Sequence, residues 1–176
     1  MIKFRKENEE VLFPIEDAVA IKRLDLQELR SLSLLNKRKR IRICAHMNPS
    51  DKLHDMIIVH GKECYVRPHK HETKSESITI LEGEADLILF EEDGSIRGVI
   101  SMGEVKTNKA FFYRISNSIY HMLIIRSKFL TFHEATEGPF DREDTKFPEW
   151  SPTEDSDTLV DFISSIENGI RNNSLK

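Results

Sequence analysis

From Arg40 to Trp150 the chain is written in short apolar runs separated by turn residues. Runs at 41–45, 56–60, 64–66, 77–81, 85–90, 96–101, 111–115, 122–125 and 129–133 have strand length. Asn48-Pro49-Ser50, Glu82-Gly83, Glu92-Asp93-Gly94 and Ser116-Asn117-Ser118 punctuate them. Many short strands at this spacing, with no helical periodicity among them, predict an all-β sandwich or barrel.

The flanks read differently. Before residue 40, Leu26, Leu29 and Leu32 recur at helical spacing, and Asp25 followed by Glu28 resembles a helix-starting pair. Short strands are expected near 11–13 and 19–21. After residue 150 a polar run leads to Leu159, Phe162, Ile163, Ile166 and Ile170, which share one face of a helix. The expected organisation is an N-terminal extension at 1–39, a barrel at 40–150, and a C-terminal helix and tail at 151–176, both additions packing on the barrel.

One segment carries chemistry: Pro68-His69-Lys70-His71-Glu72-Thr73-Lys74-Ser75-Glu76, closing at Leu81-Glu82-Gly83. In a strand His69 and His71 point to one side, about 6–7 Å apart, and can converge on one ion if the sheet curves. Glu76 opens the next strand and can add a carboxylate across from them. A fourth ligand is expected from a distant strand. His121, at the head of Met122-Leu123-Ile124-Ile125, is buried by its flanks, and its ring needs a partner there. H-x-H, four residues, Glu, six residues, Gly resembles the first cupin motif, with His121 where the second motif puts its histidine. The expectation is a single cupin (double-stranded β-helix, jelly-roll) barrel holding metal on His69, His71, Glu76 and His121.

A closer resemblance lies in Arg40-Ile41-Arg42-Ile43-Cys44-Ala45-His46, Tyr65-Val66-Arg67-Pro68-His69-Lys70-His71 and Lys74-Ser75-Glu76-Ser77. It continues through Phe111-Phe112-Tyr113-Arg114, Tyr120-His121 and His133-Glu134-Ala135-Thr136-Glu137-Gly138-Pro139-Phe140, ending at Trp150. These segments resemble the WbuC-type cupin-fold metalloproteins. The resemblance implies a cupin barrel with the four named ligands and a setting in bacterial surface-polysaccharide (O-antigen) biosynthesis.

Strand parity brings further residues into consideration. Arg67 and Tyr65 share the parity of His69, so both are expected to face inward. Arg67 would need an anion, either a substrate or an internal carboxylate such as Glu63; Tyr65 would line a floor or simply pack in the core. Arg42, Cys44 and His46 alternate together, lining a pocket or forming an internal salt network. His133 either approaches the metal from a late strand or is a hydrogen-bonded core residue. Arg67, Tyr65, Arg42 and His133 are thus the candidate substrate-binding residues.

Charge then narrows the partners. With 26 basic and 30 acidic residues the net charge is -4, which gives no reason to expect nucleic acid. The run Lys37-Arg38-Lys39-Arg40 is better read as cations at a helix C-terminus. No stretch is of transmembrane length and the N-terminus turns charged at once. The two cysteines form no C-x-x-C unit and read as reduced, so a cytoplasmic protein is expected.

Three imidazoles and one carboxylate around a divalent ion sum to about +1. The expected ligand is a small anionic or sugar-related molecule. The cofactor is one divalent ion, with iron, manganese, nickel and zinc all compatible with such donors. A metal-dependent enzyme, isomerase/epimerase-like or an oxygenase, is the leading class. A non-catalytic metal-anchored binding module and a metal-free sugar-nucleotide epimerase remain open, as does a homodimer.

Overall fold

The computed structural model describes residues 3–173; residues 1–2 and 174–176, which the expected 1–39 and 151–176 regions include, lie outside the described residues. The strands are β1 (Phe4–Lys6), β2 (Val11–Pro14), β3 (Arg40–Cys44), β4 (Leu53–Gly61), β5 (Lys70–His71) and β6 (Glu76–Glu82). They continue as β7 (Glu84–Phe90), β8 (Ile96–Gly103), β9 (Phe112–Ile115), β10 (Tyr120–Ile125), β11 (Phe129–Glu137) and β12 (Thr145–Lys146). Helices α1 (Arg23–Leu35) and α2 (Leu159–Asn173) flank them.

Seven strands form one sheet in the order β1-β2-β3-β4-β11-β6-β9, facing a three-stranded sheet β10-β7-β8, while β12 and β5 pair separately. This is the expected jelly roll. Period-two alternation decides which side chains meet inside it. Met56 and Ile58 of β4, Ile78 and Ile80 of β6, Leu130 and Phe132 of β11, and Leu123 and Ile125 of β10 fill one core between the sheets. The opposite face of β3 and β4 offers Ile41, Ile43 and Val59 to Leu29 of α1. The opposite face of the smaller sheet presents Ile88, Phe90 and Met122 to Ile166 and Ile170 of α2. Burying such a side chain contributes about 1.5–3 kcal/mol, so the C-terminal stripe docks on the barrel as its spacing predicts.

Several local expectations change. Helix α1 begins two residues before Asp25, and Asp25 occupies its third position, where its carboxylate accepts the Lys22 N–H at 2.7 Å. Asp25 therefore caps from inside the helix. Residues 19–21 and 64–66 are not strands. The first leads into α1, with Ile21 packed beside Leu29; the second turns at Gly61–Cys64 and spends its side chains on residues 148–152. The short strands β1, β5 and β12 have no pattern of their own and exist through their partners. The turn between β6 and β7 rests on Gly83, whose φ of 94° and closeness to the Phe129 carbonyl exclude a Cβ. The basic run is occupied by acids: Lys37 pairs with Asp155, Arg38 with Glu10 and Glu154, and Arg40 with Glu10.

Candidate metal centre

Three of the four predicted ligands, His69, Glu76 and His121, converge at one end of the barrel, and His71 stands beside Glu76. His69 and His121 exchange both main-chain hydrogen bonds, at 3.1 and 2.9 Å, so an isolated bridge brings the first and last histidines side by side. Their ring centroids are 4.5 Å apart, and His71 stands 5.4 Å from His69 and 6.2 Å from His121. Glu76 faces them from the first position of β6: its Oε1 lies 3.0 Å from His121 Nε2 and its Oε2 lies 3.1 Å from His71 Nε2. Donor atoms of His69, Glu76 and His121 all fall within 4.8 Å of one another, the spread a single ion can span.

The outward nitrogens settle which atoms face the centre. His69 Nδ1 lies 2.9 Å from the Arg67 carbonyl and His121 Nδ1 lies 2.9 Å from the Ile119 carbonyl. A carbonyl only accepts, so each Nδ1 carries the proton and each Nε2 presents a lone pair inward. His71 follows the same plan, with Nδ1 3.3 Å from Thr145 Oγ1 and 3.5 Å from Asp144 Oδ2. That carboxylate oxygen is buried and has no other partner, the outer-shell arrangement that orients metal-bound imidazoles. A neutral Nε2 and a carboxylate oxygen at 3.0 Å both offer lone pairs, so a cation must lie between them. A proton or a metal ion can fill that place.

Electrostatics show the competition. Burial, with the neighbouring His121 charge, pushes His69 down to about 3. Burial would also lower His121, but the charge of Glu76 and the hydrogen bond to it reverse that and raise the ring above its ordinary value. Burial would raise Glu76; the His121 charge and bonds from His121 and His71 instead hold it well below the usual carboxylate range. The two groups thus favour their charged forms together, which is what a close His–carboxylate pair does.

The other predicted residues do not join this cluster. Arg67 is outside any strand; its Nε donates to Ser151 Oγ at 2.9 Å, its Nη2 donates to the Ser151 carbonyl at 2.8 Å, and its guanidinium lies over Phe147. It is spent on residues 147–151, with neither Glu63 nor a ligand needed as its anion. Tyr65 packs in the outer core beneath α2, and its hydroxyl donates to the Pro152 carbonyl at 3.1 Å. His133 has the parity opposite to Phe132, which puts it on the outer face, where its Nε2 meets Asp55 Oδ1 at 3.0 Å. Arg42 faces inward as its parity predicts. Its neighbour His46 stacks on His54 at 4.0 Å. Cys44 and Cys64 are buried free thiols, pushed up by burial to about 11 and about 12.

Three residues at the centre escaped sequence reasoning. Tyr113 donates its hydroxyl to Glu76 Oε1 at 3.0 Å. Its signal was present, since Tyr113 and Ile115 alternate inward beside Ile78 and Glu76. Asp144, which also accepts the Thr73 N–H at 2.9 Å, and Thr145 arrive from a loop without periodicity and gave none. A cleft of about 310 Å³ opens beside Tyr113 and Ile119, between β9 and the β7–β8 side.

Known proteins bear on the fold. A domain of unknown function, DUF6016, matches residues 21–102. Comparison with curated proteins finds no match. Among solved structures, protein SO0799 from Shewanella oneidensis is 5% identical over 64% of this chain and 75% of its own, with a TM-score of 0.51. The capsular polysaccharide assembling protein CapF from Staphylococcus aureus is 16% identical over 65% of this chain, with a TM-score of 0.50. This chain spans about a third of CapF, 33% of its length. L-ribose isomerase from Cellulomonas parahominis is 11% identical over 64% and 70% of the two chains, with a TM-score of 0.49. The structural neighbours are cupin-fold proteins, and the barrel here is a cupin-type jelly roll.

Proposed function

We propose that this protein is a metal-dependent cupin in which Nε2 of His69, His71 and His121 and the carboxylate of Glu76 hold one divalent ion, and that it acts on a small anionic or sugar-related molecule. The observation that carries this reading is the shared orientation of the three imidazoles. Every Nδ1 is committed outward, and the Nε2 atoms of His71 and His121 face the Glu76 carboxylate at 3.1 and 3.0 Å, with a His69 ring nitrogen inside the same 4.8 Å group as Glu76 and His121. Bound there, an ion supplies Lewis acidity and open positions for oxygen ligands. Iron, manganese, nickel and zinc all accept this donor set. Tyr113 holds Glu76 in place, and Asp144 orients His71.

The setting we propose, bacterial surface-polysaccharide biosynthesis in the cytoplasm, rests on the WbuC-type segments of the sequence; the name of CapF points to related biology. No described helix is long and apolar enough to cross a membrane. A second reading has one observation in its favour. The hydrogen-bonded trio Tyr113–Glu76–His121 is also what a metal-free acid–base dyad needs.

Elemental analysis of protein purified without added metal separates the two. About one divalent ion per chain is expected, falling to near zero in Glu76→Ala and His121→Ala. A metal-free wild type, or metal content unchanged in both variants, overturns the metal reading.

A further inference from the structure

The inner wall carries an arginine and a glutamate that make no side-chain hydrogen bond or ion pair among the described residues. Arg42 pairs in register with Ile58 and shares its parity with Cys44, both in the barrel core, while Ile41 and Ile43 on either side face α1. Its Nε is buried without a hydrogen-bond partner, and its guanidinium makes no ion pair among the described residues. Glu134 of β11 pairs in register with Met56 and Ile78, again core residues, so its carboxylate also enters the barrel. It has no hydrogen bond or ion pair among the described residues. Acids are plentiful elsewhere: Arg40 has Glu10, and Arg126 has Asp86 and Glu167.

Register places both groups on the inward face that carries Glu76: Glu134 stands level with Ile78, and Thr136, two residues further along β11, stands level with Glu76. Burial, then the charge of Glu76, pushes Glu134 up to about 7, and the charges of Arg42, His71 and His121 pull it back. Glu134 is thus within electrostatic reach of the centre on one side and of Arg42 on the other. A buried polar group without a hydrogen-bond partner is costly, which singles these two out as groups that an entering molecule would satisfy.

We infer that Arg42 and Glu134 are the ligand-recognising half of the site, and that the ligand is a polyhydroxy acid of sugar size. This rests on the metal reading and adds the substrate class. The Arg42 guanidinium takes the carboxylate in a two-pronged contact. Glu134 takes a hydroxyl along the chain, and the far oxygens reach the metal centre. Size follows from the register: Arg42 stands level with Phe132 of β11 through Ile58, and Glu76 stands level with Thr136, so the two are four residues apart along the strands and three strands apart across them, a backbone span on the order of 15–20 Å. Two-carbon acids cannot bridge what the side chains leave of that distance; a five- or six-carbon aldonate or uronate can.

The test is calorimetric titration of the full, metal-loaded chain with gluconate, glucuronate, glucose and acetate, with metal content measured on the same samples. Binding of gluconate or glucuronate, at least tenfold tighter than glucose or acetate, is expected. Arg42→Ala and the near-isosteric Glu134→Gln should each weaken it at least tenfold while keeping wild-type metal content. Glu134→Gln keeps the test decisive if Arg42→Ala fails to fold. A metal-loaded wild type indifferent to both sugar acids, or binding them equally well in both variants, overturns the inference and leaves the metal centre standing. A metal-free wild type that binds them through Arg42 does the reverse.

Discussion

Two polar groupings share the interior of one barrel, and they are built on opposite plans. Around His69, His71, Glu76 and His121 almost every nitrogen and oxygen has a partner, and those partners come from main-chain carbonyls, Tyr113 and the β12 segment. Around Arg42 and Glu134 the walls are Met56, Ile58 and Ile78, and neither group makes a side-chain hydrogen bond or ion pair among the described residues. The first plan fixes directions so tightly that only a point charge fits. The second leaves directions open, which suits a ligand that supplies its own oxygens.

If the first grouping is built for an ion, stripping metal with a chelator should be the largest single perturbation. Metal present at a thousand times its dissociation constant stabilises by about 4 kcal/mol, so a drop in melting temperature of that weight is expected. A protein equally stable with and without chelator would erase the contrast. The second grouping should respond the other way. Replacing both of its charges, as Arg42→Met with Glu134→Gln, should leave the ligand-free protein as stable or more stable by about 1–4 kcal/mol, read by denaturant titration. A marked loss would mean that the two form a structural pair.

Asp144→Ala sharpens the account of orientation. Losing an outer-shell partner typically weakens metal binding about 10–100-fold, so competition with a coloured chelator should show a shift of that size with the metal still binding. An unchanged affinity would make Asp144 a loop fixture only.

The smallest effect concerns His60, buried against Phe132, its Nδ1 unpartnered, and held down to about 3 by burial and by Arg40, Arg38 and Arg42. The unfolded chain takes up this proton near 6.5 and the folded one only near 3. Between those values the unfolded state binds more protons, so stability falls as pH falls, by about 1.4 kcal/mol per pH unit from this one group. His60→Leu should flatten the decline between pH 6 and pH 4 by that slope. An identical slope in the variant would place the proton elsewhere.

Much of this was legible in the chain because alternation is a strong signal wherever one face is buried. The cores of β4, β6, β7 and β11 follow from it, and the buried face of α2 follows from helical periodicity in the same way. The same rule misled at Arg67 and Tyr65. Parity has meaning only inside a strand, and residues 64–68 are held by side-chain bonds to 148–152. His133 and Glu134 show the rule working in reverse. They are neighbours in the chain, and only the paired register with Phe132 and Ile78 tells which of them faces inward. Asp144 and Thr145 had no local pattern to read, since their place is set by contacts with His71 and Thr73 far earlier in the sequence.

That last pairing orders events in time. Strand β5 is two residues long, and β12, its partner, follows it by more than seventy positions. As the chain is synthesised, the H-x-H segment emerges long before His121, Asp144 and Thr145 exist. Whatever ion the early histidines touch on a half-made chain is held by two or three donors at most, and weakly. If the site holds an ion, selection among metals is therefore postponed until almost the whole polypeptide has been made.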